Sequence, residues 1–158
     1  MPYLGEQHLY DSFNHDEPWD SPTNIALLSR MPEFFKSHGG LAEELPPGMT
    51  LIQRPVGNGA FPLPGSTEDA ERISFDGLNT SQTIWLVETN PELAVEWTRP
   101  ADFEYDPNDP FSGLGETRRG ATIHSMVDGS VDTDIDKMSV SPIRLKSMFT
   151  LDPEDDNP

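Results

Sequence analysis

Ala121-Thr122-Ile123-His124-Ser125-Met126-Val127-Asp128-Gly129-Ser130-Val131-Asp132-Thr133-Asp134-Ile135 is the stretch that decides the fold class. Asp-Gly between two alternating, β-branched runs is the strongest short-range hairpin signal, because a tight turn there needs positive φ and glycine supplies it without a Cβ clash. The two arms are expected to pair antiparallel. Downstream, Ser141-Pro142 places an N-cap residue before a proline suited to the first helical position. A short helix is expected from there through Leu145 and Phe149, with an acidic, frayed tail over 152–158.

Upstream, Thr83-Ile84-Trp85-Leu86-Val87-Glu88 is a β-branched and aromatic run between the turn residues Asp76-Gly77 and Asn90-Pro91, and it reads as a central, buried strand. Ala94-Val95-Glu96-Trp97 reads as another strand. Pro100 to Gly115 reads as loop around Asp106-Pro107-Asn108-Asp109-Pro110. Residues 41–69 are rich in Pro and Gly and read as a long connection, with Thr50-Leu51-Ile52-Gln53-Arg54 its only strand.

Toward the N-terminus, Leu4, Leu9, Tyr10 and Phe13 recur at helical spacing and predict a short helix with one apolar face. Ser21 is the expected N-cap of a second helix running from Pro22 to about Phe35, kinked or shortened by Pro32 and ended by Gly39-Gly40. These elements predict one α+β domain over 1–151, an antiparallel sheet with short helices and long loops.

Of the 158 residues only 34% are hydrophobic, with 16 Pro and 12 Gly, so the core must be modest. The formal charge of −18 repels phosphate backbones and anionic headgroups, which argues against nucleic acid and leaves cations and basic proteins as partners. Cysteine is absent, excluding disulfides, thiolate zinc sites and thiol catalysis. No window approaches the roughly 18 apolar residues of a membrane span, and the N-terminus lacks the regions of a signal peptide, so the chain reads as soluble with no export address.

Pro2-Tyr3-Leu4 with Gln7, Leu9 and Tyr10, then Asp16 through Asn24, Leu27-Leu28 and Met31-Pro32, sets an order of motifs continued by Thr80 to Ile84, Val87-Glu88 and Val95 to Pro100. Asp106-Pro107-Asn108, Gly113-Leu114-Gly115 and Asp128 to Val131 complete it. In that order the chain resembles a family of planctomycete pilin-like proteins that carry a prepilin-type methylation motif, a long hydrophobic helix and a globular domain with a His, nine residues, Asp-Gly pattern.

The resemblance implies a pilin-like fold whose sheet packs on the long helix, other pilin-like subunits or secretion machinery as partners, and the cell envelope as location. The motif and helix do not occur here, so membrane contact is expected only through that missing helix. Arg118 stands ten residues before Asp128, where the family has His.

Two acidic groups are candidate calcium ligands, since hard oxygens suit that ion. Asp106, Asn108 and Asp109 sit in one proline-flanked loop; the same residues make an Asx-turn without any ion. Asp128, Asp132 and Asp134, with Asp136, form the second group. Asp132, Asp134 and Asp136 share one strand face, which water alone can satisfy, and an EF-hand starting at Asp132 fails at Lys137 and Ile143.

His8, His15, His38 and His124 show no ligand spacing, and no hydrolase or phosphate-binding motif occurs, so catalytic residues are not expected. Trp19, Trp85 and Trp97 with Tyr3, Tyr10 and Tyr105 could line a glycan or protein contact, although aromatics of this kind are more often core; Trp85 is expected in the core and Trp19 exposed. The expected function is a non-enzymatic pilin or pseudopilin-like structural subunit of a surface or type II secretion-like system. The alternatives are a ligand-binding surface module, calcium-dependent or not, and a carboxylate hydrolase.

Overall fold

The computed structural model describes residues 4–37, 45–57, 60, 78–117 and 119–151, and only the backbone of Asp134. Tyr3, His38, Gly39-Gly40, Asp76-Gly77, Arg118, the tail over 152–158 and much of the 41–69 connection lie outside these residues. In chain order the helices are α1 (Gln7–Tyr10), α2 (Pro22–Ile25) and α3 (Pro142–Phe149). The strands are β1 (Met49–Thr50), β2 (Ile52–Gln53), β3 (Pro55–Val56), β4 (Ile84–Glu88), β5 (Val95–Glu96), β6 (Phe103–Glu104), β7 (Ala121–Met126) and β8 (Val131–Asp136). The result is an α+β fold.

The hairpin forms where turn chemistry demands it. Gly129 has φ +87 and open space where a Cβ would sit, so glycine is needed there for backbone conformation alone. Asp128 Oδ1 accepts from the Ser130 backbone N at 2.9 Å and from its hydroxyl at 2.7 Å, an Asx-turn that fixes the reversal. β7 and β8 then pair antiparallel, with Thr122 opposite Ile135 and Ser125 opposite Val131.

β4 lies between β2 and β7 in a sheet ordered β2, β4, β7, β8, which places the predicted central strand inside. Its pairing with β7 slips between Ile84 and Leu86. In a regular strand residues three apart face opposite ways; the irregularity lets Ile84 and Val87 both enter the core, where they are 0% and 1% exposed. Trp85, at the slip, is only half-buried, which corrects its expected place in the core.

α3 covers that side of the sheet. Ser141 Oγ accepts from the Arg144 backbone N at 3.2 Å, Pro142 occupies the first turn, and Leu145, Met148 and Phe149 form the buried stripe that helical spacing produces. They join Ile84, Val87 and Ile135 in one cluster with Phe103, Tyr105 and Leu114. Tyr105 and Phe149 meet at a ring-centroid distance of 4.9 Å.

Four expectations are corrected. The 50–54 strand becomes short pieces with different partners: β1 pairs with β5, β2 joins the main sheet, and β3 pairs parallel with β6 inside the expected 100–115 loop. Pro55 has no N–H to extend the β2 ladder, and an Arg54–Asp102 fork at 3.2 and 2.9 Å holds β3 beside β6.

The second helix stops at Ile25, where 3₁₀ turns at Leu28–Arg30 and Glu33–Phe35 replace it. Ser21 caps α2 as expected, its Oγ accepting from Asn24 N at 3.2 Å. The buried Asn24 side chain then bonds the Asn14 N and O and the Pro18 O at 2.9, 3.0 and 2.9 Å, spending α2 on the preceding loop. In the first helix only Leu9 is buried, while Leu4 and Tyr10 are exposed, because α1 is a single turn and cannot present a full stripe.

Candidate functional site

The face of the main sheet turned away from α3 is apolar. Cross-strand partners share a face, so Ile52 with Glu88, Leu86 with Ser125, and Ser125 with Val131 define it; the two-residue repeat of β7 adds Ile123. With Phe34 these residues line a groove of about 340 Å³. Val131 is 68% and Phe34 39% exposed. The solvent face of an antiparallel sheet is usually polar, so four apolar side chains across β2, β4, β7 and β8 make a surface suited to packing. Glu88 is the buried carboxylate at its edge.

The acidic candidates fall into separate local turns. Asp106 Oδ1 accepts from the Asn108 backbone N at 2.8 Å and its side-chain amide at 3.1 Å, while Asp109 contributes its backbone N to the Asp106 carbonyl at 3.1 Å. The Asx-turn expected there is present. The Ser130 hydroxyl and then its backbone N–H hold the Asp128 carboxyl below the ordinary carboxylate value. Ser139, followed by the Met138 N–H, does the same for Asp136. Asp132 Oδ1 accepts from Thr133 N at 2.6 Å, and the Asp134 side chain lies outside the described residues. Among the described residues no group of three or more His, Asp or Glu is placed to hold a metal ion.

Trp97 and Tyr105 are core, as aromatics most often are, whereas Trp19 and Trp85 depart from their sequence reading. Trp97 is buried and its indole N–H donates to the Leu28 carbonyl at 3.1 Å, with Phe13 edge-on at 5.9 Å and Phe35 tilted at 5.2 Å. Trp19, expected exposed, is half-buried, and the Arg99 guanidinium stands 5.9 Å from its ring centroid. Tyr105 belongs to the core.

Tyr10, Phe13, His15, Trp19, Phe35 and Trp97, with Glu17 at the rim, line a second cleft of about 380 Å³. Sequence reasoning missed Phe13, His15, Phe35 and Glu17 as lining residues. No local signal marks them, since Trp97 reaches them only through the β1–β5 junction.

His8 and His15 are exposed, and His124 is buried in β7 opposite Val87 and Asp132. No helix among the described residues is long and apolar enough to cross a membrane. Comparison with protein-family models, curated protein sequences and solved structures found no match for this chain.

Proposed function

We propose that this chain is the globular part of a non-enzymatic, pilin-like structural or assembly subunit of a cell-surface or type II secretion-like system, and that the outer face of its main sheet seats the long apolar helix of such a subunit. The observation carrying this reading is the apolar row Ile52, Leu86, Ile123 and Val131 on the sheet face opposite α3. An amphipathic or apolar helix laid on that row would complete a helix, sheet, helix layering around the sheet. The motif order, which resembles that of pilin-like proteins, points to the family, and the antiparallel β4, β7, β8 arrangement is compatible with it.

The test is expression of the reading frame with the genomic segment immediately upstream, in a host carrying a prepilin peptidase. A processed product that fractionates with the membrane or in filaments, and loses protease resistance when Leu86→Asp is introduced, supports the reading. An upstream segment that encodes no apolar helix, or turnover of a substrate by the isolated chain at enzyme-like rates, overturns it.

A further inference from the structure

We infer that the side-chain amide of Asn79 is an acceptor for N-linked glycosylation, taking an oligosaccharide from a lipid-linked pyrophosphate donor. Asn79-Thr80-Ser81 places a hydroxyl two positions after an asparagine with no proline between them, the spacing that such transfer requires. Asn79 is the one asparagine in the sequence with Ser or Thr at that position.

The fold presents this tripeptide on a turn that leads into β4. The Asn79 carbonyl accepts from the Gln82 and Thr83 backbone N at 2.9 and 3.0 Å and from the Thr83 hydroxyl at 3.0 Å. The Thr80 carbonyl accepts from Asp128 N at 3.1 Å, which fastens the turn to the β7–β8 hairpin. These bonds use main-chain oxygens, so the turn holds without the Asn79 side chain, and that residue is exposed. Other asparagines are spent on structure. Asn24 is buried and bonded to the Asn14 and Pro18 carbonyls, and the Asn14, Asn90 and Asn108 side chains close local turns.

The two groups that transfer needs already meet, since the Ser81 hydroxyl donates to Asn79 Oδ1 at 3.0 Å. A donor on the amide oxygen favours the imidic form, in which the nitrogen keeps a lone pair that the carbonyl would otherwise delocalise. Asn79 Nδ2 makes no hydrogen bond among the described residues. In the transfer, Nδ2 attacks the anomeric carbon of the donor sugar. The carbon–nitrogen bond forms as the bond from that carbon to the pyrophosphate oxygen breaks, the lipid pyrophosphate leaves with the electron pair, and the nitrogen gives up one proton.

Asn79, Thr80 and Ser81 do not line the outer sheet groove, so an oligosaccharide here leaves that face open. Occupancy in the cell rests on the surface location proposed above, whereas the acceptor chemistry does not. The folded chain, incubated with a purified single-subunit oligosaccharyltransferase and a dolichol-pyrophosphate-linked oligosaccharide, is expected to gain the mass of one glycan. Release by peptide N-glycosidase in heavy-oxygen water should leave the label at position 79.

Asn79→Gln and Ser81→Ala should each lose the mass increment, and Ser81→Thr, which keeps the hydroxyl, should retain it. Both residues are exposed, so all three variants should melt as the parent does. The assignment is overturned if the folded chain gains no glycan, if Asn79→Gln or Ser81→Ala still gains one, or if a synthetic peptide of residues 78–84 is glycosylated while the folded chain is not. Any of those results leaves the test of the pilin-like reading, which turns on the upstream helix, unaffected.

Discussion

The Trp97 indole N–H donates to the Leu28 carbonyl at 3.1 Å, joining residues 69 positions apart. The Trp97 backbone N reaches the Gly48 carbonyl at 3.0 Å. Gly48 in turn has φ +86, and a Cβ there would stand 2.9 Å from the Leu28 carbonyl oxygen. Leu28, Gly48 and Trp97 therefore form one junction that fastens the N-terminal turns to the β1–β5 pair and shapes one wall of the aromatic cleft.

Gly48→Ala is expected to destabilise the protein more than Trp97→Phe. The alanine must hold a left-handed conformation costing about 1–2 kcal/mol and also displace a backbone oxygen. The phenylalanine keeps most of the ring packing and loses mainly one hydrogen bond, about 1 kcal/mol. Urea melts rank the two, and a larger loss for Trp97→Phe would show that the indole bond, not the close backbone approach, holds the junction.

Ile84→Asp should abolish folding, since Ile84 is 0% exposed beneath α3 and an unpaired buried charge costs several kcal/mol. Ile84→Val should cost only about 1 kcal/mol. An unchanged thermal melt for Ile84→Asp would mean that β4 is not core. Leu86→Asp, on the opposite face, should be tolerated far better by the isolated chain, so the pair of variants reads out which side α3 covers.

Much of this was legible because it is local. Asp128-Gly129 and the Ser-Pro starts at 21–22 and 141–142 act through bonds spanning a few residues, and each forms as read. The long run at 83–88 reads correctly as a central strand because its β-branched and aromatic residues carry apolar side chains on the outer face as well as on the core face. The β3–β6 pair is parallel and joins Pro55 to Phe103, and no periodicity in two residues of strand can announce that. Nor could pattern show that Asn24 would bond back to the 14–18 loop and end α2, or that the slip at Ile84 would turn Trp85 partly outward while Trp97 became buried. The aromatic cleft was illegible for the same reason: its walls meet only after the Leu28–Trp97 junction closes.

Acid should loosen the two ends of β8 first. The folded-state values of Asp128 and Asp136 are lowered by their Ser130 and Ser139 hydrogen bonds from an ordinary 3.8. A depressed folded value means the contribution is fully present above the unfolded value and is lost as pH falls through the folded one. Asp128 is exposed and Asp136 half-buried, and each is held by bonds within its own turn, so the effect is local. Carboxyl-carbon NMR titrations should give midpoints below 3.8 for both, and Ser130→Ala should return Asp128 toward that value. A midpoint at or above it in the native protein contradicts the Asx-turn geometry.

Calcium should leave the thermal melt where chelator leaves it. Asp106 Oδ1 is already occupied by both Asn108 donors, and Asp128 and Asp136 are each committed to their own turns. An ion binding only the native state would raise the melting temperature with its concentration. A dose-dependent rise that disappears in Asp106→Asn would restore the 106–109 loop as a structural calcium site.

The isolated chain should self-associate weakly through the outer sheet face, and salt should strengthen that association. Two terms compete. Ile52, Leu86, Ile123 and Val131 offer apolar area whose burial is favourable at about 25 cal/mol per Å², but each copy carries −18 charges, and at low ionic strength the long-range repulsion between copies opposes contact. At about 1 M salt the screening length falls to about 3 Å, which removes the repulsion beyond direct neighbours while leaving the apolar term intact. Sedimentation velocity should therefore show monomer at low salt and a concentration-dependent shift at high salt.

Val131→Ser changes no charge and alters a side chain that is 68% exposed, so it should preserve the melt and abolish the high-salt shift. A basic face would behave oppositely, associating with acidic partners and releasing them as salt rises. If Val131→Ser associates as the parent does, the contact lies elsewhere on the surface and the face opposite α3 is not the sticky one. If association weakens with salt, charge and not apolar burial drives it.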